Sequence, residues 1–225
     1  MSKAIKGKNK NTYESLRAEF YSGKVKPTLT KIIAELANDA KNIKLVLLAC
    51  QCLQRTKNIQ DLSVYADLAI QLDAENAAGY YYKGIALQHT KGKEQEALKN
   101  LNMALTLNPD HTVYLKTKAI THLVLFKDLH LPIQLAKKHG AKAEEILLKI
   151  IELIEQKEKP DYVELLTLGD VFLMINKGIN AKMNFSRAEN VYLSSAATKQ
   201  DKNSYKDILK AQVACVKFLD KIIEE

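Results

Sequence analysis

The stretch GIALQHTKGKEQEALKNLNMALTLNP, residues 84–109, decides the fold class. Small residues stand at Gly84, Ala97 and Ala104, on both sides of a polar turn, with Leu87 and Leu101 between them. Small side chains let two antiparallel helices approach closely, while the leucines fill the space between them. Pro109 closes the stretch because proline cannot continue a helix. The stretch therefore predicts a tight antiparallel helix pair.

The same pattern recurs elsewhere in the chain. Two segments have the same pattern at an offset of 35 residues, namely 69–76 and 104–111. In each segment a small residue and an apolar residue end a helix, and a polar turn follows. A fixed period of this length is the signature of a helical repeat protein. We assign specific copies to 77–110 and 162–193, and weaker copies to 43–76 and 12–40.

These copies resemble the tetratricopeptide repeat (TPR), although the turn in the 77–110 copy is one residue longer than usual in that family. The resemblance implies an all-α fold of antiparallel helix pairs stacked in a right-handed solenoid. We expect a basic, flexible tail at 1–11, a repeat domain at 12–198 and a C-terminal capping helix at 204–225, with Ser204 as its N-cap candidate. The alternative for this last helix is that it docks onto a partner.

Between the specific copies the register slips. Residues 112–126 read as a first helix, but the expected second helix contains Pro132 and reaches His139-Gly140, which predicts a short or broken element at 127–142. Residues 143–155 form a strongly amphipathic pattern. That segment fits the second helix of a repeat with a degenerate first helix, and the register between 112 and 160 stays open.

Composition agrees with an all-α chain. Of 225 residues, 47% are hydrophobic and 27% charged, with only eight glycines and four prolines to interrupt helices. No apolar run reaches the length of a membrane span, and the odd count of three cysteines has no disulfide-framework spacing. We expect a cytoplasmic location or a compartment continuous with it, including cytoskeletal or ciliary assemblies.

No catalytic constellation is visible. The chain has no Gly-rich phosphate loop and no His-Glu-x-x-His, and its five histidines are scattered. Cys50 stands where the repeat places a small packing residue, so we interpret it as a core residue. We predict no enzyme activity, no cofactor and no metal site.

The predicted function is protein binding. In stacked repeats the first helices line a concave groove, which here would show apolar residues with amides between them: Leu47, Gln51, Gln54, Tyr81, Ile85, Gln88, Val113, Lys116, Ile120, Val163, Leu166 and Asp170. Such a surface suits an amphipathic helix or an extended peptide of a protein partner. The alternative is that these residues pack against neighbouring helices or the chain's own C-terminal helix. The groove lacks the Lys and Asn cluster with which some TPR proteins clamp acidic chaperone tails, so that function is disfavoured.

The net charge of +8 is concentrated at the N-terminus, since residues 1–26 carry +5 of it. The lysines of the basic tail are Lys3, Lys6, Lys8 and Lys10. They fit a solubilising tail, an anchor within a large assembly, or a contact with RNA, anionic lipid or an acidic polymer such as tubulin tails. Two functions therefore compete: a protein-interaction scaffold in a larger assembly, and an accessory protein that binds RNA or an acidic polymer.

Overall fold

A computed structural model describes the backbone of residues 2–194 and 202–224, and the side chains of 12–194 and 204–221. Within these ranges the regular secondary structure is entirely helical. The helices are α1 (Ser2–Tyr21), α2 (Val25–Asn38), α3 (Ile43–Thr56), α4 (Ile59–Leu72), α5 (Ala77–Gln88), α6 (Glu94–Leu107), α7 (Thr112–Phe126), α8 (Ile133–Glu155), α9 (Tyr162–Met174), α10 (Gly178–Ser194) and α11 (Lys202–Glu224). The expectation of an all-α chain of helix pairs is confirmed.

The helices divide between two compact units, Met1–Pro109 and Asp110–Glu225. The first unit contains the pairs α1/α2, α3/α4 and α5/α6, and the second contains α7/α8 and α9/α10 followed by α11. In both units a first helix also contacts the first helix of the next pair, as α3 contacts α5 and α7 contacts α9. First helices therefore lie side by side within a unit, which is what a groove on that side requires.

The close approach predicted for the helix pairs is present in both specific copies. A Cβ on Gly84 would lie 2.7 Å from Leu101 Cγ, and a Cβ on Gly169 would lie 2.5 Å from Phe185 Cδ1. Leu101 and Phe185 are completely buried. Leu87, which we expected to share this role with Leu101, is only partly buried.

The core of the first unit begins at its N-terminal pair. Leu16 and Phe20 of α1 pack with Ile32 of α2 and Val46 of α3 in one cluster of buried apolar side chains. Leu16 and Phe20 are one helical turn apart and so lie on one face of α1. Pro27 stands in the first turn of α2, where the missing N–H costs no helical hydrogen bond.

The structure contradicts the expectation of a short or broken element at 127–142. Residues 127–132 are a loop, but α8 then runs through Gly140 without interruption to Glu155. Pro132 precedes the first turn, where proline is tolerated, and Gly140 lets the helix pass close to Phe126. The amphipathic stretch at 143–155 is thus the second half of the partner of α7, which settles the register.

Helix α11 lies antiparallel along α10 and also contacts α9. Its C-terminal half packs on the start of α10, where a Cβ on Gly178 would lie 2.6 Å from Leu219 Cδ2. The helix begins at Lys202, so Ser204 is inside it rather than at the N-cap, and its hydroxyl lies 3.0 Å from that of Tyr162.

Two predictions fall outside the described residues. The backbone of residues 2–11 belongs to α1, but the side chains of Lys3, Lys6, Lys8 and Lys10 are not described, and the flexible basic tail stays a prediction. The connection at 195–201 is also outside the described part. Among the described helices, none has the length and apolarity needed to cross a membrane.

Candidate peptide-binding groove

The second unit contains a cavity of about 470 Å³ on the side of its first helices. We call it the C-terminal groove. Helices α7 and α9 form its floor, and α11 borders it. Its lining residues are Val113, Lys116, Val163, Leu166, Thr167, Asp170, Asp207, Lys210 and Ala211.

Local signals at the ends of α7 and α9 position these side chains. Helix α9 begins with a capping box in which the Asp161 side chain accepts from the Glu164 N–H (2.8 Å) and the Glu164 side chain accepts from the Asp161 N–H (3.0 Å). Helix α7 begins after His111, whose ring stacks on Tyr114 with centroids 3.7 Å apart. Because both helix starts are fixed, Val113 and Val163 lie at equivalent places, in the first turn of their helices.

The groove is electrostatically balanced. Lys116 Nζ of α7 lies 2.7 Å from Asp170 Oδ2 of α9, and Lys210 Nζ lies 3.5 Å from Asp207 Oδ1 on α11. Each lysine in the lining thus has a carboxylate beside it, and the surface between the two pairs is aliphatic. This arrangement offers apolar contact with two charged borders of both signs, which suits an amphipathic peptide better than a strongly charged one.

The predicted groove residues of the second unit are largely brought together. Five of them, Val113, Lys116, Val163, Leu166 and Asp170, line the C-terminal groove. Ile120 is partly buried and lies one turn beyond Lys116 on α7. The structure places α11 beside these residues, which agrees with the alternative that they meet the chain's own C-terminal helix. The sequence did not indicate that Asp207, Lys210 and Ala211 are the residues of α11 involved, because the register of that helix against α9 depends on long-range packing.

The predicted groove residues of the first unit are less accessible. Tyr81 and Ile85 of α5 are buried, and Leu47 of α3 packs against the hydrophobic cluster of α1, α2 and α3. Gln51, Gln54 and Gln88 are partly buried. These residues fit the packing alternative better than an open binding surface, and their role in binding a partner stays a prediction.

A second cavity, of about 660 Å³, opens between α1 and α2 in the first unit. Five of its seven lining residues are polar or charged, with Lys31 Nζ 2.7 Å from Glu19 Oε1. Both partners of this ion pair belong to the cavity lining. It is therefore a weaker candidate for binding a peptide than the C-terminal groove.

The structure brings together two histidines that the sequence analysis treated as scattered. His122 of α7 and His139 of α8 are buried, with their Nδ1 atoms 2.8 Å apart, and His139 Nε2 is a buried atom without a hydrogen-bond partner. Burial, followed by the charge of His139, lowers the pKa of His122 to about 4. The pair is a core contact between α7 and α8, and only the pairing of those two helices reveals it.

The three cysteines are also buried side chains. Cys50, Cys52 and Cys215 are buried thiols without disulfide bonds, and burial raises the pKa of Cys50 to about 12, which keeps the thiol protonated. The described residues contain no group of three or more His, Cys, Asp or Glu side chains that could hold a metal ion.

Comparison of the sequence with known proteins identifies no relative. No family model matches the chain, and no curated protein matches it either.

Comparison of the structure does identify similar folds. A thermophilic TPR protein from Thermus thermophilus superimposes with a TM-score of 0.66 at 14% identity, covering 93% of this chain and 98% of that one. The MamA protein superimposes with a TM-score of 0.53 at 16% identity over 84% of this chain and 95% of its own.

An O-GlcNAc transferase from Thermobaculum terrenum also matches, with a TM-score of 0.54 at 16% identity over 69% of this chain, but over only 27% of the transferase. At such identities the likeness concerns the fold. The helix pairs, the glycines at their close approaches and these structural neighbours together show that the chain has the tetratricopeptide-repeat fold.

Proposed function

We propose that this protein is a non-catalytic interaction scaffold that holds an amphipathic helix or extended peptide of a protein partner in the C-terminal groove. The observation that carries the proposal is the groove itself. Its aliphatic floor comes from the first helices α7 and α9, and ion pairs lie on two of its borders.

The chemistry of the lining defines the ligand. Val163 is 39% exposed and, together with Leu166 and Val113, presents an aliphatic surface to the cavity. Burying a partner's aliphatic side chain there stabilises the complex by about 25 cal/mol per Å² of apolar area. The half-buried Lys116 and Asp170 can each hydrogen-bond a polar group of the peptide backbone or an opposite charge. A helix with aliphatic residues at i, i+3 and i+4 and polar flanks satisfies both requirements.

A site-specific crosslink tests the location. We would place a photoreactive amino acid at Leu166 in the groove and, as the matched control, at Glu144, an exposed position on the outer surface of α8. After irradiation in native extract, mass spectrometry of the crosslinked peptides identifies the bound segment. We expect a segment with amphipathic helical spacing from position 166 and none that is reproducible from position 144.

Substitutions in the groove test the mechanism. Val163→Asp puts an unpaired charge on the aliphatic floor and is expected to weaken binding of the crosslinked segment at least ten-fold. Glu158→Ala, an exposed change outside the groove, serves as control. Equal affinities of the two variants, with helical content unchanged, would rule out the groove as the binding site.

A further inference from the structure

Helix α11 exposes an apolar stripe on the side that faces away from the C-terminal groove. Leu209, Val213 and Val216 are 40%, 55% and 49% exposed and are spaced i, i+4 and i+7, so they lie in one line along the helix. Tyr205 and Gln212 border this line on the side next to α10. Among the described residues, no side chain packs over the stripe.

In the first helices of the pairs, the flank that corresponds to this stripe packs against the second helix of the pair. Helix α9 buries residues on two flanks, with Leu165, Leu168 and Phe172 on one and Thr167 and Val171 on the other. In α11 only Ile208 and Cys215 are fully buried among the described side chains, and both lie on one flank. Helix α11 is thus packed on α10 and α9 in the manner of a first helix, while its second flank remains exposed.

The contacts that hold α11 in place all lie on its other sides, so the flank with the stripe stays exposed. Glu189 of α10 accepts hydrogen bonds from the Tyr205 hydroxyl (3.2 Å) and from Gln212 Nε2 (2.7 Å), and the ring of Tyr205 stacks on Tyr192. At the other end, Cys215 Sγ lies 3.5 Å from the Gly178 carbonyl oxygen. Contacts at both ends fix the rotation of the helix, so the stripe is a defined surface.

The positive charge beside the stripe favours an acidic partner. Lys206, Lys217 and Lys221 are exposed and lie in a row along one border of the stripe. Lys210 belongs to the same row but also borders the C-terminal groove and pairs with Asp207. Against them the described part of α11 carries Asp207, on the side of the groove, and Asp220, at the end of the stripe. A second copy of α11 packed antiparallel on the stripe would bring two lysine rows together, and these would repel each other. A helix that carries carboxylates beside its apolar face would instead complement the lysines.

We propose that the exposed face of α11 binds an acidic amphipathic helix of a protein partner, which takes the place of a second helix in the pair. This surface lies on the opposite side of α11 from the C-terminal groove and does not depend on the proposed function. An anionic membrane is the competing occupant for a lysine-bordered apolar helix. The narrow seam of three aliphatic residues, ended by Asp220, fits a helix better than a lipid surface.

Two synthetic helical peptides test the proposal. Both carry leucines at positions 4, 8, 11 and 15 of sixteen residues; one has glutamates on both borders of this seam and the other has lysines. Fluorescence anisotropy with the full chain is expected to show at least ten-fold tighter binding of the glutamate peptide. The Lys206→Glu/Lys217→Glu variant, altered only at exposed positions, should reverse the preference.

Further variants locate the site. Leu209→Asp/Val213→Asp should weaken binding of the glutamate peptide at least ten-fold, while Ala214→Asp, on the polar side of the same helix, and Val163→Asp, in the groove, should leave it unchanged. The proposal is overturned by equal affinity for the two peptides, or by loss of binding only in Val163→Asp. It is likewise overturned by a dimer that Leu209→Asp dissociates, or by binding to phosphatidylserine vesicles that the Leu209→Asp/Val213→Asp variant abolishes.

Discussion

Single residues at the helix crossings control how closely each pair packs. Gly169 has a closer neighbour than Gly84, because the ring of Phe185 occupies the space where a Cβ would stand, and that ring is completely buried. At Gly84 the nearest neighbour is Leu101, which is also completely buried, but its nearest atom lies farther from the Cβ position than the ring of Phe185 does at Gly169. The two glycines therefore differ in how well they tolerate a methyl group.

We expect Gly169→Ala to lower the free energy of unfolding by about 1–3 kcal/mol through overpacking, even though alanine is the better helix former. Urea unfolding followed by circular dichroism measures this change. Asn190→Ala, a change on α10 away from the crossing, is the control and should stay within about 0.5 kcal/mol. In a double-mutant cycle, Phe185→Leu should relieve part of the loss, and strict additivity would contradict the contact.

The His122–His139 pair makes stability depend on pH. In the unfolded chain His122 titrates near its ordinary value of 6.5, while burial and His139 lower its pKa to about 4 in the folded state. Lys118 and Lys142 add to this effect. The unfolded state therefore takes up the proton first as pH falls, so stability is complete above pH 6.5 and decreases towards pH 4.

The decrease between pH 6.5 and pH 4 should be at most about 3 kcal/mol, since one unit of pKa corresponds to about 1.4 kcal/mol. Chemical denaturation at several pH values measures it. The His122→Gln/His139→Gln variant is expected to lose most of this pH dependence, whereas the exposed His130→Gln control should retain it. An unchanged slope in the double variant would show that other groups are responsible.

At the scale of elements, α8 is the helix that departs most from expectation. It is 23 residues long and passes through Gly140 beside Phe126, a ring that is 45% exposed. A Cβ at Gly140 would lie 2.9 Å from Phe126 Cδ2. Because that ring borders solvent, it can turn away at little cost, unlike the buried ring beside Gly169.

Gly140→Ala is accordingly expected to be neutral or to raise the free energy of unfolding by up to about 1 kcal/mol, through the better helix propensity of alanine. Urea unfolding measures the change, with Gly169→Ala as the contrasting variant. Native-state hydrogen exchange should show protected amides on both sides of residue 140. A loss of more than about 1 kcal/mol, or unprotected amides at 138–144, would indicate a break in α8.

The start of α9 depends on its capping box, which also fixes the position of the groove residues on that helix. We expect Asp161→Ala to reduce the free energy of unfolding by about 1 kcal/mol, because the first-turn N–H groups lose their acceptor. Glu158→Ala, in the preceding loop, controls for the removal of a carboxylate. If both variants unfold at the same urea concentration, the box does not stabilise the helix.

For the whole molecule, a net charge of +8 bears on solubility and on non-specific binding to polyanions such as nucleic acid, and not on the fold. Four of these charges belong to Lys3, Lys6, Lys8 and Lys10. If they contact a single-stranded RNA, the logarithm of the binding constant should fall against the logarithm of salt concentration with a slope of about −3. We expect weak, salt-sensitive binding of poly(U) that deletion of residues 1–11 removes.

Deletion of residues 1–11 also distinguishes peptide binding in the C-terminal groove from RNA binding by the basic tail. It should leave the peptide crosslinked from position 166 bound with unchanged affinity, because the groove lies in the unit Asp110–Glu225. A salt-resistant RNA complex that survives the deletion would contradict the assignment of RNA contacts to the basic segment. Loss of the crosslinked peptide on deletion would contradict the groove as a site independent of that segment.

The sequence by itself determined the helix pairs and the small residues at which the helices approach each other. The close approach at Gly84 and the burial of Leu101 could be predicted because small and large residues repeat with the helical period, whereas the atoms that meet Gly84 and Gly169 were found only in the structure. The same periodicity placed Val113, Lys116 and Asp170 on the groove side of their helices before any tertiary contact was known.

Only the tertiary structure showed which neighbouring residues pack against those helix faces. Tyr81 and Ile85 have groove-side spacing yet are buried, Gly140 lies within a helix, and His122 contacts His139 across seventeen residues. The rotation of α11, which closes one side of the groove and exposes Leu209, Val213 and Val216, is set by contacts with Glu189 and Gly178. Periodicity shows that a helix has an apolar face, but the neighbour that covers the face is chosen by long-range packing, which a local pattern does not encode.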